Sequence, residues 1–403
     1  MRVLFVSSVN LTTNPRIFKE LQLAYKLNHQ ITFVGFKLGN WTDAGDEIIR
    51  KEFPSIKFIY LDATRKKYFE WLYFSLFHVF SKAIWWLNKN SLQLSAMAHS
   101  KRTIPLLKLF KKLRSNKYDL IVAHTLAALY PSSCFAKNIK CDFAFDVEDY
   151  HPGEKIDTDI VNEKKRREIL LKKILPQTRY VTSASYLIGK NVEGLVVGVK
   201  TKTVLNYFQK NEFIEPCLNK STKIKLVWFS QNINAGRGLE LVLAIWEDAK
   251  NYFELTLIGK LDTYFYENCI KQHPDIIIKG PMEQKDLHKD LASYDIGLAI
   301  DVDHDDFNRQ LAITNKILAY FQSGLYILAT NTPAQRQFID KNPLHGILIE
   351  QTATSMLDTL MKINSFKEQI RSNNKMRFTN ASFNSWESES KIINNEWEKI
   401  KQI

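Results

Sequence analysis

The chain opens twice in the same way, and that repetition constrains its fold more than any other feature. Val3-Leu4-Phe5-Val6 is an apolar run of β type, followed by a polar loop, Ser7 to Asn14, and then by Pro15 where a helix would begin. Ile17, Leu21, Leu23, Ala24 and Leu27 give that helix an apolar face, Asn28 suits a left-handed stop, and Ile31-Thr32-Phe33-Val34 reads as the next strand. The order returns at Ile224: Lys225 to Phe229 is a strand, Ser230 to Gly236 a loop, and Arg237 to Ala249 a helix with Leu239, Val242, Leu243 and Trp246 on its apolar side.

Further strands are predicted at Ile56–Leu61, Leu120–Ala123, Phe143–Val147, Tyr180–Thr182 and Thr203–Leu205 in the first half. The second half adds Leu255–Ile258, Ile276–Ile278, Ile296–Ile300, Tyr326–Ala329 and Ile347–Ile349. Strands alternating with helices imply parallel sheets covered on both faces, so the fold class is α/β with two doubly wound, Rossmann-like domains facing a cleft. The expected boundaries are 1–208 and 209–385, joined through the polar stretch from Gln209 to Thr222. Residues 386–403 are expected to form a terminal helix, with Trp397 and Ile400 on its apolar face, packing back on the first domain. Ligands of such sheets sit outside the carboxyl ends of the strands, which puts the two opening loops on the functional edges.

The length of 403 residues suits two domains, and 45% hydrophobic with 25% charged residues excludes disordered and disulfide-scaffold classes. Cys134, Cys141, Cys217 and Cys269 form no C-x-x-C pair and have no His at zinc spacing, so a reducing compartment without a structural metal is expected. The net charge of +13 suggests a polyanion partner until it is located. Between Arg65 and Lys117 stand twelve Lys or Arg and one acid, Glu70, so +11 belongs to one stretch.

That stretch begins with the aromatic segment Tyr68 to Leu87. Glu70, His78 and Lys82 interrupt it, so a membrane-spanning helix is not expected. An amphipathic helix on an anionic membrane surface fits better, with Trp71, Trp85 and Trp86 at the headgroup boundary and Lys66 and Lys67 beside them. The alternative is a core helix with a solvated basic face. The apolar run at the amino end is too short for a signal peptide, so the expected location is cytoplasmic, peripheral on the inner face of the plasma membrane. Nucleic acid is not an expected partner, because no recognised nucleic-acid motif accompanies the charge.

Neither opening loop contains G-x-G-x-x-G, which disfavours a conventional dinucleotide site. The second offers Ala235-Gly236-Arg237-Gly238-Leu239 at a helix start, where amide groups and a bidentate cation suit a diphosphate. Thr314-Asn315-Lys316 opens another helix, which ends at Gly324. A lysine at a helix amino end opposes the dipole, and an anion there would reconcile the two.

With these residues in view, the chain resembles nucleotide-sugar glycosyltransferases of the two-domain GT-B fold, in the retaining family 4 branch. The resemblance spans nearly the whole chain. It rests on Asn14-Pro15-Arg16, Asp146-Val147-Glu148-Asp149-Tyr150-His151, Val181 to Ser185, Val204-Leu205-Asn206, Gly236-Arg237-Gly238-Leu239-Glu240, Tyr294 to Leu298, and Asn315 to Tyr320 with Gly324. It implies a donor site at Gly236, Arg237, Gly238, Asn315 and Lys316. It also implies His151 with Asp149 near the reacting centre. Asn14 and Arg16 would lie on the acceptor side, or simply start the helix. No cofactor or metal is implied; the nucleotide-sugar is a substrate, and cations with a helix dipole offset the charge of the departing nucleoside diphosphate.

The chain departs from the family at three positions. Leu311 and Ala319 stand where a pair of glutamates is usual, the second of which holds the donor ribose, and Asn232 stands where an arginine is usual. The diphosphate is therefore expected to rest mainly on Arg237 and Lys316. The acidic loop Asp301-Val302-Asp303-His304-Asp305-Asp306 reads as solvated rather than metal-binding, and His124 lines the cleft or is structural. The expected function is transfer of a sugar to a membrane-associated, lipid-linked or saccharide acceptor in bacterial cell-surface polysaccharide or glycolipid synthesis. The alternatives are a sugar-nucleotide epimerase of the same fold and a diverged non-catalytic sugar-nucleotide or membrane-binding protein.

Overall fold

The computed structural model describes residues 1–302 and 306–402. Contacts divide the chain into two compact units: Met1–Val204 together with the chain from Ser390 onward, and Leu205–Glu389.

The first unit is built on seven parallel strands. They are β1 (Arg2–Ser7), β2 (Gln30–Lys37), β3 (Lys57–Asp62), β4 (Leu120–His124), β5 (Asp142–Val147), β6 (Tyr180–Ser183) and β7 (Thr201–Thr203), in the order β3-β2-β1-β4-β5-β6-β7. Val3 to Val6 are fully buried, as a strand covered by helices on both faces requires. The order reverses between β1 and β4, the switch point at which such sheets open a crevice. The carboxyl rung there is polar: Ser7 stands beside His124, His124 beside Asp146, and Asp146 beside Thr182. All four are buried.

Local chemistry sets the first turn. Asn14 caps the helix Pro15–Lys26 by accepting from the Ile17 amide at 3.2 Å, and Asn28 takes φ 56° at its far end. The last strand forms at Thr201–Thr203, two residues earlier than predicted: the Val204 amide still donates to the Ser183 carbonyl at 2.9 Å, but its own carbonyl accepts from Arg16 instead of extending the ladder. The terminal helix Trp386–Lys401 buries Trp397, whose indole donates to the Tyr180 hydroxyl at 2.9 Å within this unit.

The second unit has six parallel strands: β8 (Ile224–Ile233), β9 (Phe253–Leu261), β10 (Ile277–Lys279), β11 (Ile296–Ala299), β12 (Tyr326–Thr330) and β13 (Gly346–Ile349). Their order is β10-β9-β8-β11-β12-β13. The first strand runs past its predicted end at Phe229. Its register slips there, and pairing resumes with Asn232 opposite Lys260. The predicted helix from Arg237 to Ala249 is two short ones, Leu239–Leu243 and Trp246–Ala249. Gly238 at φ 84° cannot be helical, so helix formation waits for Leu239. Trp228 and Trp246 are fully buried in the core of this unit, and the Trp246 indole donates to Asp275 at 2.8 Å.

The basic aromatic stretch folds as the helices Tyr68–Trp85, Leu92–His99 and Thr103–Lys112 of the first unit. Among the described residues, no helix is long and apolar enough to cross a membrane. Trp85 corrects the expected membrane face. It is fully buried, its indole donates to Ser95 Oγ at 3.0 Å, and the Arg166 guanidinium lies 5.0 Å from its ring. Trp86, the next residue, points outward at 58% exposure, 100° around the helix.

Candidate functional site

Each unit presents one chemically loaded carboxyl edge. On the first, Arg16 and Asp146 form a buried bidentate pair of 2.6 and 2.7 Å, and a third guanidinium contact reaches the Val204 carbonyl at 2.8 Å. Asp146 also accepts from Thr182 Oγ1 at 2.5 Å. Burial opposes its charge, but Arg16 holds it well below the usual carboxylate range. His124 is enclosed by acids: Nδ1 lies 2.8 Å from Glu148 and 3.5 Å from Asp146, and Nε2 lies 3.7 Å from Glu20. The last separation is too long for a hydrogen bond, so the attraction there is Coulombic. Burial alone would push the imidazole down; Glu20, Glu148 and Asp146 overcome it and hold the ring at about 10. The surrounding carboxylates thus favour the protonated ring. Glu20, His124 and Asp146 also lie close enough together to chelate an ion, but Arg16 already occupies both oxygens of Asp146.

Asn14 and Arg16, read as acceptor-side residues or as the start of the helix, both take internal roles. Asn14 is the helix cap, and Arg16 spends its donors on Asp146 and Val204, so neither presents its polar group to an open surface. Beside them the edge is strained. Thr125, directly after β4, holds φ 68°, which a β-branched residue rarely adopts. Its Oγ1 accepts from the Ser8 amide at 3.0 Å and lies 2.8 Å from Ser8 Oγ. Nothing in the sequence pattern signals this, because the strain comes from tying two loops together at the switch point.

His151 follows β5 and is buried, with Nδ1 3.3 Å from Glu154. Its Nε2 is buried and has no hydrogen-bond partner among the described residues. Burial works against its charge, yet Glu154 and Asp149 hold the ring above the usual histidine range. Arg167 fixes the loop by donating to the His151 carbonyl at 2.7 Å and to Glu154 at 2.6 Å. Asp149 contributes through its carbonyl, which accepts the His151 amide at 2.9 Å.

On the second unit, the loop after β8 delivers Gly236, Arg237 and Gly238. The Gly236 amide donates to Glu240 at 2.6 Å, which closes the turn. A Cβ at Gly238 would stand 2.8 Å from the Ile300 carbonyl oxygen, so only glycine permits this approach. Arg237 is exposed, and among the described residues no carboxylate lies within ion-pair distance of it. Lys316, in the first turn of the helix Asn315–Gln322, is buried 5.1 Å from the Trp228 ring centroid and 3.6 Å from Asp301. Burial pushes its ammonium below the usual lysine range. Asp301 resists, while the positive charges of Arg237 and Arg309 add to the depression. Arg309 was not among the predicted site residues, since it stands on the short helix Phe307–Leu311 with no motif around it.

The amino end of the Asn315–Gln322 helix is uncapped: Thr314 occupies the cap position, but its buried Oγ1 has no hydrogen-bond partner among the described residues. The buried indole N–H of Trp228 is likewise without a partner among the described residues. Asn315 Oδ1 accepts from Asn206 at 2.8 Å. Lys316 thus stands at an open helix amino end within electrostatic reach of Arg237 and Arg309, and faces Asp301, which the Gln335 amide also holds at 2.9 Å; Arg309 itself pairs with Asp306 at 3.6 Å. Such an edge attracts a polyanion. Leu311 and Ala319 are buried, and Ala319 lies in the core behind the helix, so neither position could expose a carboxylate to a ligand without repacking. Of the acidic loop, Asp303, His304 and Asp305 lie outside the described residues.

No protein-family model and no curated protein sequence matches the chain. Solved structures do. Anabaena Alr3699/HepE, crystallised with UDP, superposes with a TM-score of 0.70 at 12% identity over 99% of this chain and 100% of that one. This is the GT-B fold. The lipopolysaccharide outer core galactosyltransferase WaaB in its apo form gives a TM-score of 0.59 at 11% identity, covering 99% of both chains. A crystal structure of a UDP-N-acetylglucosamine 2-epimerase from Listeria monocytogenes reaches 0.53 at 11% identity over 94% of this chain and 90% of that one. At these identities the likeness establishes the two Rossmann-like GT-B domains, and the chemistry must be argued from the side chains.

Proposed function

We propose that the protein is a glycosyltransferase that moves a sugar from a nucleoside diphosphate donor to a membrane-associated acceptor in cell-surface polysaccharide or glycolipid synthesis. The observation that carries this reading is the uncapped helix amino end at Asn315, with Lys316 in its first turn and the exposed, carboxylate-free Arg237 within electrostatic reach of it. In transfer, the bond from the anomeric carbon to the diphosphate oxygen breaks, and the departing group takes the electron pair. Positive side chains and helix amides aimed at that oxygen lower the barrier without reorganising. An acceptor hydroxyl forms the new bond and releases its proton. These protein charges supply what a divalent cation would, which is the basis for proposing metal independence; the proposed retention of configuration follows the family 4 resemblance. The UDP in HepE and the lipopolysaccharide substrate class of WaaB support the donor and acceptor assignments.

The membrane half of the reading rests on the helix Tyr68–Trp85 and its flanks. Phe69, Leu76, Val79, Phe80, Trp86 and Leu87 are exposed, next to Lys66 and Lys67, an apolar band with a basic margin suited to an anionic interface. Trp71 is only half-buried, with Arg65 5.1 Å from its ring. On this reading the protein works at the inner face of the plasma membrane.

The test is a panel of sugar nucleotides, assayed for binding and for slow donor hydrolysis, with Arg237→Ala and Lys316→Ala alongside. Release of nucleoside diphosphate that both substitutions abolish supports transfer. Absence of nucleotide binding overturns it. The likeness to the Listeria epimerase favours one second reading, interconversion of the donor itself, and a product sugar nucleotide formed without any acceptor would select it.

A further inference from the structure

Asp301 stands where a diphosphate site has no use for a carboxylate. It follows β11 closely, and the loop that carries Arg237 passes beside it: a Cβ on Gly238 would lie 2.8 Å from the carbonyl oxygen of Ile300, the preceding residue. Lys316 flanks it from the helix Asn315–Gln322, with its ammonium 3.6 Å from Asp301 Oδ1. A negative side chain beside these cations repels the phosphates they attract. Two neighbouring acids are engaged elsewhere: Glu240 accepts from the Gly236 amide at 2.6 Å, and Asp306 caps the helix Phe307–Leu311 and pairs with Arg309 at 3.6 Å. Asp301 is the one that needs an explanation.

Asp301 is also fixed in place. Its amide donates to Thr330 Oγ1 at 2.9 Å, the Thr330 hydroxyl donates to its carbonyl at 2.7 Å, and Gln335 Nε2 donates to Oδ2 at 2.9 Å. Thr330 and Gln335 are buried, so these anchors do not yield to an arriving anion as a surface counter-ion would. Oδ1 keeps unused capacity. It accepts no hydrogen bond among the described residues, since Lys316 stands at ion-pair separation, and the side chain keeps 18% of its surface exposed. The buried Oε1 of Gln335 also has no partner among the described residues, a second acceptor short of a donor at the same place. An ionised carboxylate accepts and does not donate, and the diphosphate of a sugar nucleotide carries no proton to offer it. A sugar hydroxyl does, and its bond to a charged oxygen is stronger than one between neutral groups.

We infer that Asp301, held by Thr330 and Gln335, accepts a hydrogen bond from a hydroxyl of the donor's sugar portion and so selects sugar-bearing diphosphates over bare ones. This rests on the glycosyltransferase reading of the same edge and adds a specificity residue to it. The nucleoside ribose and the transferred ring offer the same hydroxyl chemistry, and the choice of probes separates them.

Calorimetry on the full chain tests this with five probes: inorganic pyrophosphate, UDP, UDP-glucose, GDP and GDP-mannose. Asp301→Ala is expected to tighten pyrophosphate at least twofold, because a repelling charge is gone, and to weaken the better-bound sugar nucleotide at least tenfold. A loss already present with the matching nucleoside diphosphate assigns the ribose; a loss confined to the sugar nucleotide assigns the transferred ring. Asp301→Asn keeps an acceptor oxygen without the charge, so it should tighten pyrophosphate as well and weaken the sugar nucleotide less than fivefold. Probes that all tighten in Asp301→Ala would make the residue a counter-charge only, and probes that all weaken would make it a support for the loop. Either result overturns the assignment, as do affinities that stay unchanged. Arg237→Ala keeps the two readings apart. If it abolishes nucleotide binding while the Asp301 variants shift every probe alike, the transferase reading stands without this residue; if no sugar nucleotide binds the natural protein, both fall.

Discussion

Arg16 and Asp146, 130 residues apart in sequence, are joined by two charge-assisted hydrogen bonds of 2.6 and 2.7 Å in a site where the Asp146 side chain is fully buried. Breaking such a pair leaves an uncompensated charge in a low-dielectric interior. Arg16→Ala is expected to lower unfolding free energy by about 3–5 kcal/mol. Denaturant unfolding checks this; a loss below about 1 kcal/mol, the range of an exposed pair, would show that water reaches the site.

The His124 network predicts an alkaline limb in stability. Its folded pKa, about 10, lies above the unfolded value of roughly 6.5. The stabilisation is therefore fully present below pH 6.5 and is lost as pH rises through 10. Thermal melts from pH 6.5 to 10 should fall for the natural protein, and the slope should flatten in His124→Gln. An unchanged slope would mean that the ring is neutral in the folded state.

Adjacent tryptophans should behave oppositely. Trp85→Ala empties a fully buried site and is expected to cost about 3–5 kcal/mol, while Trp86→Ala should stay within about 0.5 kcal/mol. Vesicle co-sedimentation should reverse the ranking: Trp86→Ala weakens association with anionic vesicles, and added salt weakens it further. Binding that is indifferent to both would remove the membrane assignment.

Lys316 links nucleotide affinity to pH. Burial depresses its ammonium pKa, so affinity for a nucleoside diphosphate should decline on the alkaline side before an ordinary lysine would titrate. Lys316→Arg, which keeps its charge, should move that decline to higher pH; Lys316→Ala should lose about 2–5 kcal/mol of binding. Fluorescence titration across pH 7 to 10.5 reads both.

Gly238→Ala combines a left-handed conformation, costing about 1–2 kcal/mol, with a Cβ 2.8 Å from the Ile300 carbonyl oxygen. Stability and nucleotide affinity should fall together, because the loop that carries Arg237 must shift. Calorimetric unfolding with parallel nucleotide titration tests it, and retention of full affinity would detach Arg237 from the site.

The two sheets were legible because period and order are local properties. Apolar runs at Val3 and Ile224, each followed by a polar loop and an amphipathic helix, sufficed to place parallel strands and name the edges that matter. Caps such as Asn14 and stops such as Asn28 are likewise set by neighbours a turn away. The positive charge between Arg65 and Lys117 could be counted from the sequence, but not how it divides between surface and interior. Which of Trp85 and Trp86 is buried depends on the angular setting of one helix against its neighbours, and both have the same composition signal. The partners of Arg16 and His124 and the strain at Thr125 arise where strand ends meet across 24 to 188 residues, and the place of Arg309 comes from the short helix Phe307–Leu311. The sequence by itself thus determined the doubly wound architecture and the phosphate-suited loop. Only tertiary packing decided which charges are neutralised inside the protein and which remain unpaired for a ligand, since a long side chain's partner is chosen by the registry of distant elements.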